Sequence, residues 1–412
     1  MTFEKVNLGT VCTFFNNSRK PVTRSSRVAG EYRYFGAAGI QDYVSEYLFD
    51  GNFILVGEDG TVITEDDRPV VQQVSGKFWV NNHAHVIQPN EMEDYDYLYF
   101  AISSTKVRDL VTGAVQPKLS MTNLKQLQIP WAGDSVTRLT IGSILRSLDE
   151  KIASNNALSQ TLEDIAQTIF KSWFIDFDPV KAKMAGEKPV GVDAATAALF
   201  PDSMVESELG PVPKGWSISK VDSLTKTLVG GTPSRVRDDF WNGDIPWFNS
   251  GKVNEFRIIE ASEYITELGL QKSAAKLLPV GTTVLAITGA TLGQYSRVEI
   301  SASGTQNVIG ILQSEYISNE FIYSFIASGI SRIVAAGTGG AQQHINKEIV
   351  DNFEFIYPGK KLVDVFTLTV ESMFQEISSL TFSSKNLSQL RDALLPRLLS
   401  GELQIPEEML AS

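Results

Sequence analysis

One internal repeat constrains this chain more than any other feature. The stretch TGAVQPKLSMTNLKQLQI from Thr112 is answered by TGGAQQHINKEIVDNFEF from Thr338. Thr112, Gly113, Gln116 and Leu119 align with Thr338, Gly339, Gln342 and Ile345 at an offset of 226, and Leu124, Leu127 and Ile129 align with Val350, Phe353 and Phe355 at that same offset. A plan written twice calls for two similar modules rather than one continuous core. The 412 residues leave room for two or three domains, each able to bury its own core.

Each copy leads into a long helical pattern. From Ser143 to Asp178 there is no Gly or Pro, and Ile144, Leu148, Ile152, Leu158, Leu162, Ile165, Ile169 and Trp173 recur mostly at steps of three or four. Asn155 fills the seam between Ile152 and Leu158. From Leu362 to Leu395 the pattern returns with Phe366, Val370, Met373, Ile377, Leu380, Leu387, Leu390 and Leu394, and Pro396 then interrupts the last turn before Gly401 closes it. At ~1.5 Å per residue each helix is roughly 50 Å long. Such a helix with one apolar stripe needs a partner, and the other copy is the nearest candidate, in an antiparallel or a parallel coiled coil. The alternative is two ordinary core helices of two separate domains. Asn155 is either a register-fixing polar position or a tolerated one.

Before each helix the text is different. Short strand-like runs (FILVG at Phe53, FWVNN at Phe78, TVLAITG at Thr283) alternate with Gly, Pro, Asn and Asp turns, as in compact α+β domains with long loops. The segment from Pro179 to Gly215 carries five prolines and reads as a connector. The expected fold class is therefore α+β: two globular, strand- and loop-rich mixed α/β domains separated by two long paired helices, with a pseudo-twofold repeat. The expected layout is 1–138 first domain, 139–178 central helix, 179–215 connector, 216–359 second domain, 360–401 second helix and 402–412 tail.

Chemistry is sparse. No G-x-x-x-x-G-K-[ST] occurs, since Lys77, Lys252 and Lys360 follow Gly but precede Phe, Val and Lys. Asp149 and Lys151 have the spacing of a nuclease metal site but lie where a helix's polar face is expected anyway. Asp178-Pro179 lacks the rest of an amino-methyltransferase loop, and Phe35-Gly36-Ala37-Ala38-Gly39 only loosely resembles a methyl-donor glycine motif. The sole cysteine, Cys12, excludes an internal disulfide and a cysteine-rich zinc site, and reads as a small buried apolar residue. Of the three histidines, His83 and His85 fit polar surface or DNA contacts better than metal ligation. No signal peptide and no apolar run of ~18 residues is present, which suits the cytoplasm. A net charge of −12 argues at first against nucleic acid, yet Arg19, Lys20, Arg24, Arg27 and Arg33 face the single acid Glu31, and Lys272, Lys276 and Arg297 face none within their stretch. Acids collect elsewhere, so a partner can supply much of the non-specific grip.

With the repeat in hand, LRSLDEKIASNNALSQTLEDIAQTIFKSWFIDFDPVKAK from Leu145 resembles the central helical region of type I restriction–modification specificity subunits. QLRDALLPRLLSGEL from Gln389 resembles their C-terminal region. GGTPSRVRDDFWNGDIPWFNSGKV from Gly230, LLPVGTTVLAITGATLG from Leu277 and GTGGAQQHIN from Gly337 are similar to their second target recognition domain. YRYFGAAGIQDYV from Tyr32 and GKFWVNNHAHV from Gly76 resemble a variant of the first.

The resemblance spans essentially the whole chain. It implies a non-catalytic subunit whose two target recognition domains each read half of a split double-stranded DNA site. It further implies two methyltransferase subunits and restriction subunits as partners, no membrane, and no cofactor on this chain, with S-adenosylmethionine, ATP and Mg on those partners. Direct readout needs Arg or Lys toward guanine and Asn or Gln toward adenine. The candidates are Arg19, Lys20, Arg24, Tyr34, Lys77, Asn82, His83, Gln116 and Lys118 in the first domain. In the second they are Ser234, Arg235, Trp247, Ser250, Thr288, Thr291, Gln306, Asn307, Gln342 and His344. Because Gln116 and Gln342 recur in domains expected to read different sequences, they are equally readable as a shared turn or a phosphate contact. The competing reading is a coiled-coil scaffold of a DNA-processing complex without sequence readout. If the helices set the half-site spacing, inserting four residues into both lengthens the spacer by one or two base pairs; an unchanged spacer in the methylated motif contradicts this.

Overall fold

The structure is a computed structural model that describes residues 2–113, 116–337 and 344–410. It forms two units: Met1–Ala153 with Lys385–Ser412, and Ser154–Ser384.

The first unit begins with β1 (Phe3–Asn7), α1 (Leu8–Val11), β2 (Cys12–Phe14), β3 (Ala29–Gly36), β4 (Gly39–Val44), β5 (Phe49–Asp50), β6 (Phe53–Gly57), β7 (Val71–Val74), β8 (Lys77–Val80) and β9 (Ala84–Pro89). Then come α2 (Tyr95–Ser104), α3 (Met121–Lys125), β10 (Gln128–Ala132) and the long α4 (Ser135–Phe174). Its sheets run β4-β3-β8-β5, β2-β9-β6-β7 and β1-β10, with β3 and β8 parallel and the other pairs antiparallel. The run FILVG is buried on both faces because β6 separates two cores. Phe53 and Leu55 point with Phe35, Phe49 and Phe78 into one, while Ile54 and Val56 point with Leu98 and Leu124 into the other. A strand covered on both sides reads as an unbroken apolar run rather than an alternation.

The connector is ordered, with α5 (Asp178–Met184), α6 (Ala194–Leu199) and a hairpin of β11 (Met204–Val205) with β12 (Val212–Pro213). Phe200 anchors it, its ring 5.3 Å from that of Trp173.

The second unit continues with β13 (Ser217–Lys220), α7 (Val221–Leu224), β14 (Thr227–Val229), β15 (Trp241–Phe248), β16 (Glu263–Ile265), α8 (Glu267–Gln271), β17 (Leu277–Leu278), β18 (Thr283–Ala286), β19 (Tyr295–Arg297), β20 (Ala302–Gly304) and β21 (Val308–Ile311). After these follow α9 (Asn319–Ala335), α10 (Lys347–Asp351), β22 (Glu354–Tyr357) and α11 (Lys360–Leu399). Its sheets run β16-β15-β20-β17, β14-β21-β18-β19 and β13-β22. Every strand of the first unit thus has a counterpart in the same chain order, with the same neighbours and the same single parallel pair, β15 with β20. The match reaches single residues at the repeat's offset of 226. The Ser120 side chain caps α3 by accepting from Asn123 N at 3.2 Å, and Asn346 caps α10 by accepting from Ile349 N at 2.8 Å. Leu119 and Ile345, and Leu124 and Val350, are all buried.

Both long helices are 40 residues. Within the second unit Asn155 on α4 faces Ser383 on α11, and Phe170 faces Phe366, so the pair is antiparallel. Within the first unit Asp149 meets Arg391 at 2.6 Å in the same sense. Of the expected seam residues, Phe366, Val370 and Ile377 are buried, and Ile144, Leu148, Ile152, Leu162, Ile169, Leu387 and Leu394 are half-buried. Leu158, Ile165 and Leu390 are corrected: they lie on the outer face, exposed by 44%, 42% and 48%. Spacing alone misplaced Leu158 and Ile165 because polar Asn155, Ser159 and Glu163 take the buried positions of this stretch of α4. Asn155 donates to the Ser383 hydroxyl at 3.3 Å. Pro396 does not end α11, which runs on to Leu399. The carbonyl it deprives of a donor belongs to Asp392, an exposed residue.

Glu163 is buried for a reason outside the helix pair. Its Oε2 accepts from Arg257 Nη2 at 2.7 Å and its Oε1 from the Tyr323 hydroxyl at 2.8 Å. Arg257, fully buried, also donates to Tyr323 Oη at 2.9 Å, and Glu299 Oε1 lies 3.5 Å from its Nε. This ionic cluster ties α4 to α9 and to the loop before β16. Removing one partner strands the other's charge. Glu163→Ala is therefore expected to destabilise the second unit by about 3 kcal/mol or more, and a Glu163→Met/Arg257→Met double variant to lose less than the two single changes summed. Denaturant unfolding measures both, and additive losses contradict the coupling.

Candidate nucleic-acid interface

The loops of the first module gather several of the expected side chains. Lys20, Arg24, Lys77, Asn82, Gln116 and Lys118 are exposed. Lys77 holds its ammonium 4.7 Å from the Tyr47 ring. Arg19 is corrected to a structural role, since its Nη1 donates to Glu58 Oε2 at 2.6 Å and to the Ala84 carbonyl at 2.7 Å, and its Nε to the Asn16 carbonyl at 3.0 Å. Tyr34 is corrected too: it is buried, with Arg27 over its ring at 4.1 Å and its hydroxyl accepting from Val22 N at 3.1 Å.

The two neighbouring histidines part company. His83 is half-exposed and pairs with Asp59. His85 is fully buried, which corrects its reading as surface. Its Nε2 lies 2.7 Å from the Leu119 carbonyl, which can only accept, so Nε2 carries the proton and Nδ1 accepts from Asn16 Nδ2 at 2.8 Å. Burial holds this imidazole below the usual value for histidine.

The described ends of the Thr-Gly-x-x-Gln motif in the first copy lie in a closed loop. Thr112 and Lys118 exchange backbone hydrogen bonds at 2.8 and 2.7 Å. Gly113 sits at φ +90° where a Cβ would lie 2.2 Å from the Gln116 carbonyl oxygen, so only glycine closes the loop. Gln116 itself is exposed. Gln342 lies outside the described residues.

In the second module Ser234, Arg235, Gln306 and His344 are exposed, and Ser250, Thr288, Thr291 and Asn307 are half-exposed. The Asn307 carbonyl accepts from Ile287 N at 3.0 Å, and Ile287 O accepts from Ile345 N at 2.9 Å, so Thr288, Asn307 and His344 adjoin one another along the chain ends. Gln306 accepts from Thr232 and from Thr305 through its Oε1. Trp247 is corrected: it is buried and its Nε1 donates to the Gly231 carbonyl at 3.0 Å. The Gly-Gly before Thr232 serves this packing, because a Cβ on Gly231 would stand 2.3 Å from the Ala274 backbone.

Each module opens a cleft against one of its four-stranded sheets, β4-β3-β8-β5 in the first and β16-β15-β20-β17 in the second. In the first it measures about 470 Å³ and is lined by Lys20, Val22, Arg27, Val44 and Trp79 among others. In the second it measures about 630 Å³ and is lined by Arg235, Asp238, Trp241, Asn242, Glu263 and Tyr264. The first cleft sets basic and apolar side chains beside Glu46, and the second sets Arg235 and aromatic rings beside Asp238 and Glu263. Sequence reasoning missed Arg27, Trp241, Asn242, Glu263 and Tyr264. Asn242 holds a positive φ of 61° beside an irregularity in β15, a strain that only the local sequence Asn-Gly hints at. Among the described residues no group of three or more His, Cys, Asp or Glu side chains is placed to hold a metal. Nor is any helix long and apolar enough to cross a membrane.

One strand plan is thus built twice in this chain, with different side chains on its loops, as in a protein made of two recognition modules. The family model described as the type I restriction modification DNA specificity domain matches residues 1–164 and 213–367, and the chain belongs to that family. Among curated relatives, the type I restriction enzyme HindI specificity subunit of Haemophilus influenzae is 27% identical over 379 residues, covering 80% of this chain and 81% of that one. The MjaIX specificity subunit of Methanocaldococcus jannaschii is 25% identical over 358 residues, covering 84% and 78%. The crystal structure of the type I restriction–modification S subunit from M. genitalium shares the fold with a TM-score of 0.61 at 15% identity, over 97% of this chain and 96% of that one.

Because the folded-state pKa of His85 is lowered, its contribution to stability is complete above the ordinary imidazole value of ~6.5 and is lost as pH falls below it toward the folded-state pKa. Unfolding free energy of the first unit is expected to decline as pH drops below ~6.5, and the decline to shrink in His85→Gln. An unchanged slope in that variant contradicts the assignment.

Proposed function

We propose that this chain reads two different DNA half-sites, one with each module, and performs no chemistry itself. The observation that carries this reading is the repetition of one strand plan with different side chains in the cleft that each copy opens. A homodimer of identical modules would read two identical half-sites. Two covalently joined, diverged copies read two unlike ones, and the paired helices set the non-specific spacer between them.

In this reading the chain works in the cytoplasm within a type I restriction–modification complex, as the names of its relatives suggest. Two methyltransferase subunits dock on the helices and bring S-adenosylmethionine. Restriction subunits bring ATP and Mg. The acidic balance of the chain fits this division, because the partners then supply much of the phosphate contact.

A genome-wide adenine-methylation map of the host, with and without this gene, tests the proposal. The expected result is loss of one split motif methylated on both strands, with unlike halves. Persistence of every methylated motif contradicts it.

A further inference from the structure

Both modules build the same three-residue device at the same point of the fold. In the first, Tyr34 of β3 lies opposite Asp42 of β4, and Arg27 covers the Tyr34 ring while its Nη1 donates to Asp42 Oδ2 at 3.1 Å. In the second, Trp247 of β15 lies opposite Glu263 of β16. Arg235 stands 5.4 Å from the Trp247 ring and 3.7 Å from that of Trp241, and its Nη1 and Nη2 donate to the two Glu263 oxygens at 2.9 and 2.6 Å.

The two arginines differ in what is left over. Arg27 is 15% exposed and spends its Nε on the Val22 carbonyl at 3.2 Å. Arg235 is 54% exposed, and no described residue accepts from its Nε. Its guanidinium is therefore held over one aromatic ring and oriented by one carboxylate, with Nε unpaired among the described residues and the side chain lining the 630 Å³ cleft.

We propose that Arg235 is a specificity-determining residue of the second module, reading a guanine through its Nε–H and an outer Nη–H, with Trp241 and Glu263 as positioning residues. The inference rests on the DNA-reading function proposed above. Guanine presents N7 and O6 in the major groove at the spacing of two parallel arginine donors. The bidentate carboxylate decides for a base over a phosphate. It cancels the formal charge that a phosphate contact depends on, and it leaves two directional donors in place. It also fixes the side chain beforehand, so little rotamer freedom is lost on binding. Arg27, closed on both edges, is the structural counterpart in the first module.

The test uses the complex of this chain with its methyltransferase subunits, as wild type, Arg235→Ala and Glu263→Gln. Each is titrated on DNA carrying the methylated motif and on single-base-pair variants of it, across a salt series. Arg235→Ala is expected to weaken binding to the motif on the order of 10- to 100-fold and to become indifferent at one G·C pair of one half-site. The other half-site stays unchanged. Glu263→Gln, which frees the guanidinium charge, is expected to steepen the slope of log affinity against log salt by about one and to blunt discrimination at that same pair. Full discrimination at every pair in Arg235→Ala overturns the inference. So does a uniform loss across all sequences, the mark of a phosphate contact. A wild-type complex without any sequence preference overturns the proposed function and this inference together.

Discussion

Neither module has a complete core without the two long helices. In the first unit Ile141 and Leu145 of α4 meet Leu395, Leu398 and Leu399 of α11, under α2 and β10. In the second, Phe170, Trp173 and Phe174 of α4 meet Leu362, Phe366 and Val370 of α11, under α9 and β22. A 40-residue helix with a single apolar stripe is marginal alone. Here each stripe is covered by the other helix and by strands and helices of a module. Burial of this kind makes the helices structural members of both units rather than linkers between them.

The aromatic cluster of the second unit shows why that dependence is strong. Phe170 lies within 5.5 Å of Phe174, Phe321 and Phe366, ring to ring, in tilted or edge-to-face contact. Such rings bury large area and prefer these geometries. The polar stretch of α4, with Asn155, Ser159 and Glu163, gives up that apolar burial in favour of specific partners: Ser383 for Asn155, and Arg257 with Tyr323 for Glu163. The cost of burying Glu163 is offset only because every one of its oxygens is engaged.

The repeat was legible in the sequence because it falls on buried and capping positions. Leu119, Leu124, Leu127 and Ile129 answer to Ile345, Val350, Phe353 and Phe355 since both sets fill the same core, and Ser120 and Asn346 since both cap the same short helix. The helices were legible through their spacing, yet Leu158 and Ile165 were misassigned because periodicity cannot see that a buried glutamate has a partner 94 residues away. The candidate readers were less legible. Tyr34 and Trp247 are aromatic residues near loops, a description that fits a base-stacking platform and a core ring equally well. Only the packing shows that Tyr34 is the floor under Arg27, and that Trp247 packs edge-on against Trp241, the ring that carries Arg235. Arg27 and Glu263 were invisible for the same reason: their role depends on contacts across strands, not on neighbours in the chain.

The central claim is that two copies of one fold read two unlike half-sites. The most direct measurement is a base-by-base substitution scan across the methylated motif, using competition binding by the intact complex. The account predicts two separate blocks of intolerant base pairs with different sequences, divided by positions where any base pair serves. One continuous block, or two blocks of identical sequence, would contradict it.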